Sequence, residues 1–429
     1  MYYGGVARGP TFHHQAVIFL ALVLVSCKND LYPLRFVPDP TSDSGVPGDA
    51  SVPDVSVPVG DCPSGIMGFA TVSDVGGEWD AGTTGMPQLQ LDAGTTGGGP
   101  LDGGTTVVVD ATDSDALARF SMYAGDKMPG PLTIVVKGMI SIPPPLDGGS
   151  GDVQKIRVSS NKTVIGANVL SDPAKNGSGS GFTGGGLTLT DVSNVVLQNL
   201  VIAMPNSDDS TDNVDAVHIE GSHQIWIDHC DLSSNGPTMD AGASYDGLVD
   251  ISDGSDFVTV SWTRYHDHAA SGLIGRSDSS AAAAQDAGKD HVTFDHDWFN
   301  NVGNGPRIRF GTVHVLNCFF DQITDYGVAS TDGASVVIEA CNFQDVTEVQ
   351  NNADYGPVTT LLDGATAGTL QFDPQANVFT SSGQPFLTTA NATVPLPYKD
   401  QYIPDSPKSV PALVQACGGT GKIAAPTGN

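Results

Sequence analysis

IWIDHCDLSS (residues 225–234) and YDGLVDISDGSDFVTVSWTRYHDH (residues 245–268) decide the fold; they are the densest part of a stretch running from Asn213 to Phe310. Three short runs within that stretch, QIWIDHC (224–230), FVTVSWT (257–263) and HVTFDHD (291–297), alternate apolar with polar residues. Period-two alternation rich in β-branched and aromatic residues predicts strands and not helices. The pattern recurs upstream in NVVLQNLVI (194–202) and downstream in TVHVLNCFF (312–320) and SVVIEACNF (335–343). Aligning the runs puts Asn199, Cys230, Thr263, Asp297, Cys318 and Cys341 in one column, at spacings of 31, 33, 34, 21 and 23 residues. Repeated strands with variable inserts between them predict a parallel β-helix, an all-β solenoid whose inserts are loops on one face. Chemistry is to be sought on that face.

The composition narrows the partners. The chain of 429 residues carries 18 Lys and Arg against 48 Asp and Glu, a formal net charge of −30. Nucleic-acid binding needs a basic footprint, which this balance excludes. A polyanion of any kind could be held only with a cation between the two. With 52 Gly and 15% charged residues, many turns and an interior of stacked strands are expected.

Three regions follow. In residues 1–27, Arg8, His13 and His14 precede the apolar run AVIFLALVLV (16–25), which is too short to span a bilayer and suits a signal-peptide core. The run ends in LVSC; a small residue before Cys27 resembles the bacterial lipobox, in which that cysteine becomes the lipidated first residue. An ordinary signal peptide containing a cysteine is the alternative. Residues 28–61 are rich in Pro, Asp, Ser and Val and nearly free of large apolar side chains, the composition of an extended tether. Residues 62–429 form the folded domain.

Within it, the two copies of DAGTTG at Asp80–Gly85 and Asp92–Gly97 predict a surface loop insertion. SDALARFSMYAG (114–125) is the best amphipathic helix and would cap the open end of the solenoid. PLTIVVKGMISI and KIRVSSNKTVIGAN give the first rungs, and SVPALVQACGGTGKI (409–423) packs a short helix back on the barrel. Cys230, Cys318 and Cys341 fall in the inward column and are expected to be free buried thiols. Cys62 and Cys417 bracket the domain, and an exported protein permits a bridge between them.

Several segments in order, GGGLTLTDVSNVVLQNLVI, DNVDAVHIEGSHQIWIDHCDLSS, YDGLVDISDGSDFVTVSWTRYHDH, GLIGRSDS and GPRIRFGTVHVLNCFF, resemble the extracellular pectate lyases of polysaccharide lyase family 1. SSNKTVIGAN and ACGGTGKI match that family's ends, so the likeness covers roughly residues 62–423. The resemblance implies a right-handed parallel β-helix that cleaves polygalacturonate by β-elimination with calcium as cofactor. Elimination needs the ion because a carbon acid beside a carboxylate is very weak unless its developing charge is stabilised. By position the resemblance puts the calcium ligands on Asn213, Asp215, Asp246 and Asp250, with Asn213 where a carboxylate is usual. Asp246 and Asp250, four apart, are expected on one side of a strand.

The basic residues depart from the family pattern. Its catalytic arginine opens RxPxxR, which here reads Asn304-Gly305-Pro306-Arg307-Ile308-Arg309, so the base position is Asn304 while Arg309 is kept. The substrate-binding lysine position is Ala270, and no lysine lies between Lys175 and Lys289. An asparagine cannot accept a proton at useful pH. Arg307 shares a strand face with Arg309 and is a substitute candidate; Arg276, a second candidate, is otherwise a solvated surface charge. His229 is expected to hydrogen-bond in the strand-turn framework. His266 and His268 flank the groove, in a structural role or as an alternative base. Trp226 and Trp262 are expected to pack and not to serve as sugar platforms.

The leading expectation is a monomeric, membrane-anchored pectate lyase-like protein with polygalacturonate or pectin as its partner. A catalytically weak or inactive protein that binds acidic polysaccharide through calcium is the rival. A lyase for a neutral or methyl-esterified polysaccharide and a purely structural β-helix adhesin are less favoured, because the Asp cluster and Arg309 are retained.

Overall fold

The structure is a computed structural model that describes residues 62–63, 66–71, 105–143, 155–168, 179–204, 215–234, 247–346, 356–360, 362 and 364–423. Cys27 of the expected lipobox, the expected tether, the DAGTTG copies, Asn213 and Asp246 lie outside the described residues.

Each complete coil contributes one strand to each of three sheets. The sheets hold ten, eight and nine described strands, and every strand pairs in parallel with the equivalent strand one coil away. The fold is the right-handed parallel β-helix. Its ten-stranded sheet begins one strand earlier than the sequence pattern suggested, at Thr105–Asp110, which pairs with Leu132–Lys137. α1 (Ala116–Ala124) caps the open end as expected: Ala116, Phe120 and Ala124 are buried, and the Phe120 ring lies 4.6 Å from that of Phe182. The sequence pattern missed α2 (Ser280–Asp286), whose N-cap Ser279 Oγ accepts a hydrogen bond from the Ala282 amide at 3.2 Å.

The interior is built of stacked columns. Tyr265, Phe299, Phe320, Phe343 and Phe379 stack along the nine-stranded sheet with ring centroids 4.6, 4.7, 4.8 and 5.0 Å apart. That is the strand spacing, so each ring lies over the next in an offset stack.

The column expected to start at Asn199 needs a correction. Strand register places Leu200, and not Asn199, beside Cys230; Thr263, Asp297, Cys318 and Cys341 then follow as expected. Asn199 belongs to the preceding column with His229, Trp262, His296, Asn317 and Ala340, all with φ between 49° and 57°. One left-handed residue makes the corner between the ten-stranded and nine-stranded sheets, and the parity of the side chains changes there. Asparagine tolerates this conformation; at the other positions packing sustains it, for Trp262 stacks between His229 and His296 at centroid distances of 5.9 and 4.1 Å.

Cys230, Cys318 and Cys341 are free and buried, as expected. Cys62 and Cys417 form a disulfide, which ties the start of the domain to α3 (Val410–Cys417). Cys62, Cys417, Val410 and Val414 pack with Trp262 and Phe319, docking the C-terminal helix on the barrel.

Candidate functional site

Of the expected site residues, Asp250, Arg307 and Arg309 lie on strands of the eight-stranded sheet, on its outward face. Along its strands the inward positions are apolar, as with Val217 and Ile219, Leu187 and Leu189, and Ile308. The alternate positions line up across the coils: Thr188, His218, Asp250, Leu273, Arg307 and Ala329 are register partners in turn. Arg309 stands two residues along, beside Thr331, so the expectation that Arg307 and Arg309 share a face is met.

Asp215 lies just before the strand Val217–Glu220, with its side chain buried. Its Oδ2 shares a hydrogen bond with His218 Nδ1 at 2.6 Å and accepts one from Lys155 Nζ at 3.3 Å. Its Oδ1 is buried without a hydrogen-bond partner among the described residues. Asp250, on the strand Val249–Ser252, is buried and accepts from the Leu273 amide at 3.1 Å. That strand begins at Val249, and Asp246 lies outside the described residues.

Arg309 is nearly buried, donating to Asp278 and to the Gly275 carbonyl at 2.9 Å. Arg307 Nη2 donates to both oxygens of Asp278, at 2.9 and 3.1 Å, and lies 3.8 Å from Asp332. Asp278 therefore clamps both arginines; burial would push its carboxyl up, but Arg309 and then Arg307 hold it below the usual carboxylate range. Arg276 points elsewhere: half exposed, it pairs with Asp253 at 2.9 Å and reaches Gln285. The structure thus sets Asp250, Arg307 and Arg309 on one sheet face, with Leu273 between Asp250 and Arg307, and leaves Arg276 as a surface ion pair.

Ala270 and Asn304 are register partners on adjacent coils, where the nine-stranded sheet passes into the eight-stranded one. The two positions expected from the sequence to depart from the family pattern are therefore neighbours. Gly305 and Pro306 lead directly from Asn304 to Arg307.

The histidines have structural partners. His266 is held between Asp231 and Asp267, each at 2.8 Å; burial lowers its pKa, but the two carboxylates outweigh that and raise it. His268 is buried and meets Ser234 Oγ at 2.7 Å. His229 departs from expectation: its ring nitrogens make no well-aligned hydrogen bond among the described residues, although Nδ1 is 2.9 Å from Asp228, and stacking on Trp262 holds it. Trp226 donates from Nε1 to Ser261 Oγ at 2.9 Å, in keeping with a packing role.

Sequence reasoning missed three residues: Lys155, His218 and Asp278. Alternation along VHIE marks His218 as outward-facing, a signal that was available. Lys155 and Asp278 have no local signal, since they meet partners 60 and 31 residues away.

The sequence profile of the pectate lyase family matches residues 90–422. The chain is 39% identical to pectate lyase plyB of Emericella nidulans over 253 residues, 59% of this chain and 66% of that protein. It is 36% identical to probable pectate lyase B of Aspergillus terreus over 296 residues, 68% of this chain and 79% of that one. Among solved structures, pectate lyase Bsp165PelA from Bacillus sp. N165, in complex with trigalacturonate, superposes with a TM-score of 0.60 at 24% identity, covering 84% of this chain and 100% of that one. At that identity the superposition speaks for the fold alone. The profile match, the curated relatives and a β-helix with its ordered outward row agree, and the chain belongs to the pectate lyase family.

Proposed function

We propose that this protein is a calcium-dependent pectate lyase that acts on polygalacturonate by β-elimination, with turnover limited by its own sequence. The observation that carries the reading is the outward row in which Asp250, Arg307 and, one step along, Arg309 stand on one sheet face beside the buried Asp215. Asn213, Asp215, Asp246 and Asp250 would hold the ion. The donor set suits it: calcium takes hard oxygen ligands, and Asp215 Oδ1 is a buried carboxylate oxygen with no hydrogen-bond donor among the described residues. When bound, calcium would link these carboxylates to a uronate carboxylate and stabilise charge at C5 as its proton leaves.

The chain's own residues supply the rest. Arg309, with Arg307 beside it, is placed to receive a second carboxylate of the sugar chain, exchanging Asp278 for substrate. Asn304 occupies the position of the proton acceptor and offers no base; Ala270, its neighbour, offers no cation. That adjacency favours a second reading, in which the protein binds acidic polysaccharide with little cleavage. Release of 4,5-unsaturated product from polygalacturonate, followed by ultraviolet absorbance with calcium and with a chelator, decides between them. Slow calcium-dependent release supports the lyase; saturable binding without product supports the second reading. Absence of both overturns the site.

The proposal extends to location. Export through residues 1–27, with Cys27 lipidated and residues 28–61 as a tether, would hold a monomeric domain at the cell surface. Mass spectrometry of the membrane fraction should show an acyl adduct on Cys27, and a soluble chain starting beyond residue 28 would contradict it.

A further inference from the structure

Lys155 lies on the strand Lys155–Arg157, one coil before the strand Gly186–Thr190. Its register partner there is Gly186. A Cβ at position 186 would come within 2.0 Å of the Asp215 carbonyl oxygen, so no side chain fits at position 186, between Lys155 and the coil of Asp215. Across that gap Lys155 Nζ reaches Asp215 Oδ2 at 3.3 Å. Asp215 has a side chain 1% exposed and Lys155 one 23% exposed. The other partner of Asp215 on the same oxygen is His218, so Oδ2 is already engaged twice while Oδ1 has no hydrogen-bond partner among the described residues.

We infer that Lys155 is a tethered cation that competes with calcium for Asp215 and so sets the ion affinity of the groove. The inference rests on the calcium reading given above. An ammonium on one oxygen of a carboxylate repels a divalent ion approaching the other oxygen, and the repulsion acts through partly buried surroundings where screening is weak. Calcium affinity follows ligand charge count, and the proposed ligand at position 213 is by sequence an amide and not a carboxylate. Both features point toward a weak site that fills only at high calcium. For calcium to bind tightly, the Lys155 side chain must swing out, a motion that its partial exposure permits.

The test is calorimetric titration of calcium into the chelator-stripped whole chain and into Lys155→Met and Lys155→Arg variants, with melting temperatures recorded in parallel. Lys155→Met should bind calcium about tenfold or more tightly, the scale of one unit charge opposing a divalent ion at contact range. Its ion-free melting temperature should fall, because Asp215 loses a partner, while its calcium-induced rise exceeds that of the natural chain. Lys155→Arg keeps the charge and should bind like the natural chain, which separates charge from packing. Equal or weaker binding in Lys155→Met overturns the inference and leaves the site standing. If no chain binds calcium, the site reading itself fails and the inference with it. Should Lys155→Met fail to fold, tighter calcium binding by Lys155→Gln supports the inference, and unchanged binding overturns it.

Discussion

Restoring both departures, Asn304→Arg with Ala270→Lys, should raise turnover on polygalacturonate. The two positions are register partners, one strand spacing or roughly 4.8 Å apart at the backbone. A positioned general base is typically worth two to four orders of magnitude, about 3–5 kcal/mol of barrier. Two cations set about 6 Å apart repel by about 1–3 kcal/mol at a partly exposed site. That repulsion costs stability and makes it easier for the new arginine to shed its proton. The losses belong to one constellation, so the single variants need not add. We expect about a hundredfold gain for the pair, with Asn304→Arg alone giving most of it and Ala270→Lys alone little. The assay is the initial rate of unsaturated product against pH, with a chelator control; an arginine base must lose a proton, so the gain should grow toward alkaline pH. A folded double variant that binds oligogalacturonate yet shows no gain would refute the reasoning. So would vigorous activity of the natural chain that survives Arg309→Ala, which would point to another base such as Arg307 or His266.

Two further outcomes test the fold. His296 is buried against Asp295 at 2.7 Å and Asp405 at 2.9 Å; burial lowers its pKa, but the two carboxylates outweigh that and raise it to about 10. A raised histidine stabilises fully below its unfolded value and loses that contribution as pH climbs to about 10. The urea midpoint should therefore fall between about pH 6.5 and 10, and His296→Gln should flatten the fall; an unchanged slope would show that the C-terminal segment is held some other way. Removing one ring from the aromatic column with Phe320→Ala should cost about 3–5 kcal/mol in denaturant unfolding, as a fully buried ring with neighbours at 4.7 and 4.8 Å leaves a cavity that cannot collapse. A cost below about 1 kcal/mol would mean that the column relaxes.

The strands were legible because alternation at period two survives in every coil, and each buried position recurs at the strand spacing. What escaped was local. Asn199 was placed one position out because the corner consumes a single left-handed residue and shifts parity, something an alternating pattern does not record. α2 was missed because it has seven residues, although Ser279 before an alanine run is a readable cap. In the site, outward parity brought Arg307 and Arg309 together correctly. The Asp278 clamp and the Lys155 contact depend on which loop or coil lies alongside, and only the folded register supplies that. The disulfide was a pairing that an exported protein permits without requiring; docking of α3 beside Cys62 is what selects it.

The most direct test is a crystal structure of the protein with calcium and trigalacturonate. The account predicts an ion bound by Asp215 Oδ1 and Asp250, a sugar carboxylate completing its coordination, and a second carboxylate on Arg309 in place of Asp278. A sugar bound on another face, or one seated in this groove with no ion at Asp215 and Asp250, would contradict it.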